Sequence, residues 1–140
     1  MTSMTDARAD RKALKNSCLE LLDSVAVEHP AGHQFKLAAR YVIISRAGER
    51  IGLMFEKHES VPAQIWLARH YGKGLLGCEI PVREYNAEQL YAISDAEIEP
   101  AYGRHAALKS MRDLANVDLL RFTVESRAQL ERIVSHLAAH

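Results

Sequence analysis

Cysteine is scarce in this chain: only Cys18 and Cys78 occur in 140 residues. Their separation fits neither a metal-ligand spacing nor a disulfide framework, so both are expected as free thiols in a reducing cytosol, with Cys18 serving as a small core residue. Net charge is missing too. Lys and Arg total 18, as do Asp and Glu. That balance removes whole-protein steering toward nucleic acid and leaves only a local patch to provide it. It also leaves little charge repulsion between copies, which favours self-association into a homo-oligomer. No segment approaches the roughly 18 apolar residues of a membrane span. Residues 1–15 are polar and charged, without the apolar core of a signal peptide, so the chain reads as cytoplasmic. Walker A, HExxH and G-x-S-x-G sequences are all absent, and no internal repeat occurs. Residue pattern alone assigns no catalytic residue, metal site or cofactor.

What is present is ordinary globular material, 48% hydrophobic and 26% charged. The length suits a single domain spanning residues 1–140 that can bury a core without disulfides. Leu14, Cys18, Leu21, Leu22 and Val25 recur at helical spacing and predict a helix over residues 6–27, closed by Pro30 and Gly32. Period-two alternation predicts strands over 35–45 and 50–57, joined by a turn at Ala47-Gly48, with a short third strand over 64–69. Trp66, inside that third strand, reads as a core residue. Residues 79–84 are expected as a fourth strand, which Pro81 places at an edge or a strand start. Asn86 would cap a short helix holding Leu90 and Ile93, and 95–100 reads as an acidic loop. A helix over 105–115 would turn Leu108, Met111 and Leu114 or Ala115 inward. Leu120, Phe122 and Val124 then alternate as a strand. Ser126 with Gln129 forms a capping box for a last helix striped by Leu130, Ile133, Val134 and Leu137. The expected fold class is α+β: an antiparallel β-meander of four to five strands, packed on one face by the N- and C-terminal helices.

Three motifs resemble sites and are set aside. Residues 72–77 spell G-x-G-x-x-G, but Pro81 and the Ile80/Val82 alternation argue for a strand after the loop, whereas dinucleotide binding needs a helix there. His29 and His33 have i, i+4 spacing, yet Pro30 and Gly32 break the helix that would align them on a metal. Glu56 and Lys57 are adjacent on a strand and point to opposite faces, which argues against a PD-(D/E)xK nuclease.

The remaining candidates form a mirrored pair, Arg69-His70-Tyr71-Gly72 and Tyr102-Gly103-Arg104-His105. Each sets a cation, an imidazole and an aromatic ring beside a glycine. Arg69, His70, Lys73, Arg104 and His105 would converge with Lys109 and Arg112 on an anion, helped by the N-terminus of the 105–115 helix. Tyr71 and Tyr102 would stack on a base or donate a hydrogen bond. A solvated basic surface is the plainer alternative.

The segment from Tyr102-Gly103-Arg104-His105 through Leu119-Leu120-Arg121-Phe122-Thr123-Val124 to Ile133 resembles the close of small uncharacterised bacterial α+β domains, some of which accompany restriction or other defence proteins. The resemblance covers the strands and the last strand–helix unit, not the first helix. It implies a nucleic-acid-related role and transfers no catalytic residue.

The leading expectation is therefore a non-catalytic binding module that recognises a nucleic acid or an acidic protein through the Arg/His/Tyr cluster. Two alternatives stay open. One is an enzyme acting on a small anionic substrate, with His70 or His105 as general acid/base. The other is a homo-oligomeric immunity, antitoxin or adaptor domain that uses a free strand edge.

Overall fold

The computed structural model describes residues 4–33, 37–87, 91–92, 101–102 and 104–140. Helix α1 (Met4–Val25) leads into β1 (Val27–Glu28), β2 (Ala38–Ile44), β3 (Arg50–Glu56) and β4 (Gln64–Ala68). A one-turn helix α2 (Arg69–Gly72) and a 3-10 turn (Lys73–Leu75) precede β5 (Val82–Tyr85). The small strands β6 (Tyr91–Ala92) and β7 (Ala101–Tyr102), a second 3-10 turn (Ala106–Ser110), β8 (Leu119–Thr123) and α3 (Arg127–Ala138) complete the chain.

The expected α+β class is what the structure has, but the sheet carries six strands rather than four to five, in the order β1-β2-β3-β4-β8-β5. Every pairing in it is antiparallel. The one additional strand is peripheral: β1 is a two-residue strand on the edge of β2, whereas β8, the strand expected at Leu120–Val124, reaches back to lie between β4 and β5. β6 and β7 pair only with each other.

Strands β2, β3 and β4 are buried along almost their whole length. Both faces of the sheet are therefore covered, which explains why these strands carry apolar side chains on both sides. One face holds Tyr41, Ile43, Leu53, Phe55, Ile65, Leu67 and Phe122 against Cys18 and Leu22 of α1 and Leu130, Ile133 and Leu137 of α3. As expected, the first and last helices share this face. Val25, expected in the apolar stripe of α1, is 44% exposed because the helix ends there. Ser126 caps α3 by accepting from the Gln129 amide (3.3 Å), while Gln129 Oε1 accepts from the Glu125 amide (2.7 Å). The reciprocal arm of the box thus lands one residue earlier than the standard pattern.

The second face packs Ala38, Met54, Trp66 and Leu119 against Leu108, Met111 and Leu114. Trp66 is a core residue, as expected. The expected helix over 105–115 is absent. That segment is a string of i→i−3 turns: Leu108 N donates to His105 O (3.0 Å), Met111 N to Leu108 O (3.0 Å), and Leu114 N to Met111 O (2.9 Å). The spacing of 108, 111 and 114 has a strict period of three. Three residues per turn suits 3-10 geometry and keeps all three side chains on one side. The short helix expected to hold Leu90 and Ile93 is contradicted where it is described, since Tyr91–Ala92 form β6 paired with β7, and the loop over 95–100 lies outside the described residues.

Candidate functional site

The first mirrored tetrapeptide lies where β4 ends. Arg69, His70, Tyr71 and Lys73 line a cleft of about 560 Å³ together with Arg50 and Gly52 of β3 and with Asp113, Leu114, Val117 and Asp118 of the turn segment. The backbone ties the two sides together, with the Arg69 amide donating to Asp118 O (2.8 Å). Gly52 is needed for close approach. A Cβ there would lie 1.9 Å from Asp113 Oδ2, so the bare strand backbone is what admits the carboxylate. Arg69 is already engaged, its Nε donating to Glu84 Oε1 (3.0 Å). His70 and Tyr71 meet edge-on, and Tyr71 O accepts from His140 Nε2 (3.0 Å). The glycine-rich stretch after Tyr71 runs into the first 3-10 turn and then toward edge strand β5, with Gly77 at φ 86°. It is not a phosphate loop feeding a helix.

The second tetrapeptide goes elsewhere. Arg104 is 6% exposed, and its guanidinium is spent on main-chain carbonyls: Leu114 O (3.4 Å), Ala115 O (3.2 Å) and Tyr85 O (3.3 Å). His105 Nε2 lies 3.5 Å from Glu56 Oε1. Burial pushes the imidazole below its usual pKa, and the nearby Arg40 adds to this, while Glu56 opposes it. Glu56 is buried as well, and its Oε2 accepts from the Trp66 indole N–H (3.2 Å). Lys109 is exposed on the second 3-10 turn, and Arg104, His105 and Lys109 do not line the cleft. Tyr102 is placed only through its backbone, paired with Tyr91 in β6–β7. Of the eight expected binding residues, four come together. The helix dipole that would have drawn an anion to residues 104–105 is missing because the helix is missing.

A stronger concentration of positive charge lies on α1. Arg8, Arg11, Lys12 and Lys15, with Lys57 and His58 just after β3, line a groove of about 760 Å³ in which Glu59 is the one carboxylate. Lys15 is buried and donates to the His58 carbonyl, and Arg11 Nη1 reaches Glu59 O at 3.4 Å. Desolvation lowers the Lys15 pKa first, and Arg11 lowers it further, against the opposing pull of Glu56 and Glu59. Burial also lowers Lys57. A bound anion would offset the cost of holding these partly desolvated ammonium groups charged. The signal for this groove is visible in the sequence: Arg8, Arg11, Lys12 and Lys15 stand at i, i+3, i+4 and i+7, the spacing of one helical face. What no local pattern supplies is the arrival of Lys57 and His58 from the other side.

His29 Nε2 donates to Asp113 Oδ1 (2.9 Å), its Nδ1 accepting from the Ala31 amide, while His33 pairs with Glu28, so the two histidines have separate partners. Among the described residues no group of three or more His, Cys, Asp or Glu side chains is placed to hold a metal. No helix among them is long and apolar enough to cross a membrane. Compared with known protein families, curated proteins and solved structures, the chain has no significant match to any of them.

Proposed function

We propose that this protein is a non-catalytic binding module whose ligand is a polyanion, a nucleic-acid backbone in the first instance, held in the groove between α1 and the β3–β4 loop. One observation carries this reading: five Lys and Arg side chains from two elements face one groove that contains a single carboxylate. No Phe, Tyr or Trp ring lines that groove, and His58 is its one imidazole. Recognition there is therefore through phosphate charge and not base stacking, and is independent of sequence.

The test is binding of short duplex DNA and of RNA across a salt series. With up to five phosphate contacts, log K should fall against log salt with a slope of about −3 to −4.5. The triple variant Arg8→Ala, Arg11→Ala, Lys12→Ala should flatten that slope by about 2 to 3. All three residues are exposed, so the variant should fold normally. Absence of binding at low salt, or a triple variant that binds as the parent does, would sink the reading. Binding only to acidic peptides would replace the nucleic acid with an acidic protein surface.

A further inference from the structure

The cleft at the end of β3 and β4 differs in chemistry from the basic groove, and we infer that it is a second, independent site for a small aliphatic zwitterion, an amino acid or short peptide bearing an amine and a carboxylate in one molecule. Its charge is mixed. Arg50 and Lys73 line it without an ion-pair partner among the described residues. Two carboxylates line the same space, contributed by the turn segment that covers the second sheet face.

Both carboxylates are held in place. Asp113 Oδ1 is fixed by His29 Nε2 at 2.9 Å, and Asp118 Oδ1 accepts from the Ala87 amide at 2.7 Å. In each, Oδ2 has no hydrogen-bond partner among the described residues. Oriented acceptors that keep one oxygen free suit an ammonium donor, and free cations suit a carboxylate. Val117, 36% exposed, adds apolar surface for an aliphatic side chain, and buried Leu114 also lines the cleft. A polyanion is disfavoured here, because two aspartates that would repel it line the same cleft as Arg50 and Lys73. The volume of about 560 Å³ falls inside the range of small-ligand pockets, roughly 300–1,000 Å³.

The experiment is calorimetric titration of the full chain with leucine and with leucyl-leucine, each against two analogues that keep one charge, 4-methylpentanoate and 3-methylbutylamine. Saturable binding of at least one zwitterion is expected, with both single-charge analogues weaker by about tenfold or more, since each leaves one set of protein charges unmatched. Lys73→Ala and Asp118→Asn should each weaken the zwitterion by about fivefold or more. Asparagine keeps the Oδ1 acceptor for Ala87, so loss in that variant reports the charge and not the fold. The Arg8/Arg11/Lys12 triple variant should bind the zwitterion as the parent does, which separates failure of this site from failure of the groove. Preference for leucine or for leucyl-leucine distinguishes a free amino acid from a peptide, and either result supports the site. No saturable binding of either zwitterion, equal binding of a single-charge analogue, or indifference to both point variants overturns it.

Discussion

Arg69-His70 and Arg104-His105 are the same dipeptide with opposite fates. The first lies at the end of a strand, where the Arg69 side chain is 45% exposed in a surface pair with Glu84 and His70 faces a cleft. The second lies beneath the segment that closes the other sheet face, where Arg104 donates to three main-chain carbonyls and His105 is set against buried Glu56. An irregular segment laid over a sheet has main-chain acceptors to satisfy, and a guanidinium with several donors can serve three at once. A segment at the sheet rim has water for that purpose. The same residues become cleft-facing in one place and structural in the other.

The contrast can be broken most directly at its two arginines. Arg104→Met should cost about 3 kcal/mol or more, because three carbonyls near the second core lose charge-assisted donors. Urea denaturation measures it, and a cost under about 1 kcal/mol would mean that water replaces the guanidinium freely.

Next in size is a pH effect at His105. Its folded-state pKa lies below the ordinary 6.5. The unfolded chain therefore binds the proton more readily than the folded one. The stability that comes from keeping His105 neutral is complete above about pH 6.5 and is lost as pH falls from there through the lowered folded value. Replacing His105 with Gln should remove that part of the acid slope in a denaturation series from pH 7 to 5. An unchanged slope would assign the acid sensitivity to other groups.

The smallest effect is expected from Arg69→Met, within about 1 kcal/mol, since exposed ion pairs contribute little. A cost equal to that of Arg104→Met would erase the distinction between the two arginines.

Much of the fold is legible because the signals are local. The alternation in β2 and β3, the stripe of α3 and the Ser126–Gln129 cap each depend on neighbours within a few residues. The 105–115 segment misleads because Leu108, Met111 and Leu114 are compatible with a helical face. Only their strict period of three, with no apolar residue at the fourth position after Leu108, hints at successive tight turns. β1 is too short to announce itself, and its pairing with Val42 and Tyr41 is a tertiary event. Arg69, His70, Tyr71 and Lys73 share a cleft because they are neighbours in sequence, whereas the basic stripe of α1 is readable at helical spacing but meets Lys57 and His58 only through the fold.

The sequence by itself determined the α+β class, the helices that flank the sheet and the burial of Trp66 and Cys18, since periodicity and burial of apolar side chains are properties of short windows. Only the tertiary structure decided which cations face solvent together. Burial and charge proximity depend on which segments cross, so it was the docking of residues 104–118 over the second sheet face that withdrew Arg104 and His105 from the cleft and brought Asp113 and Asp118 into it.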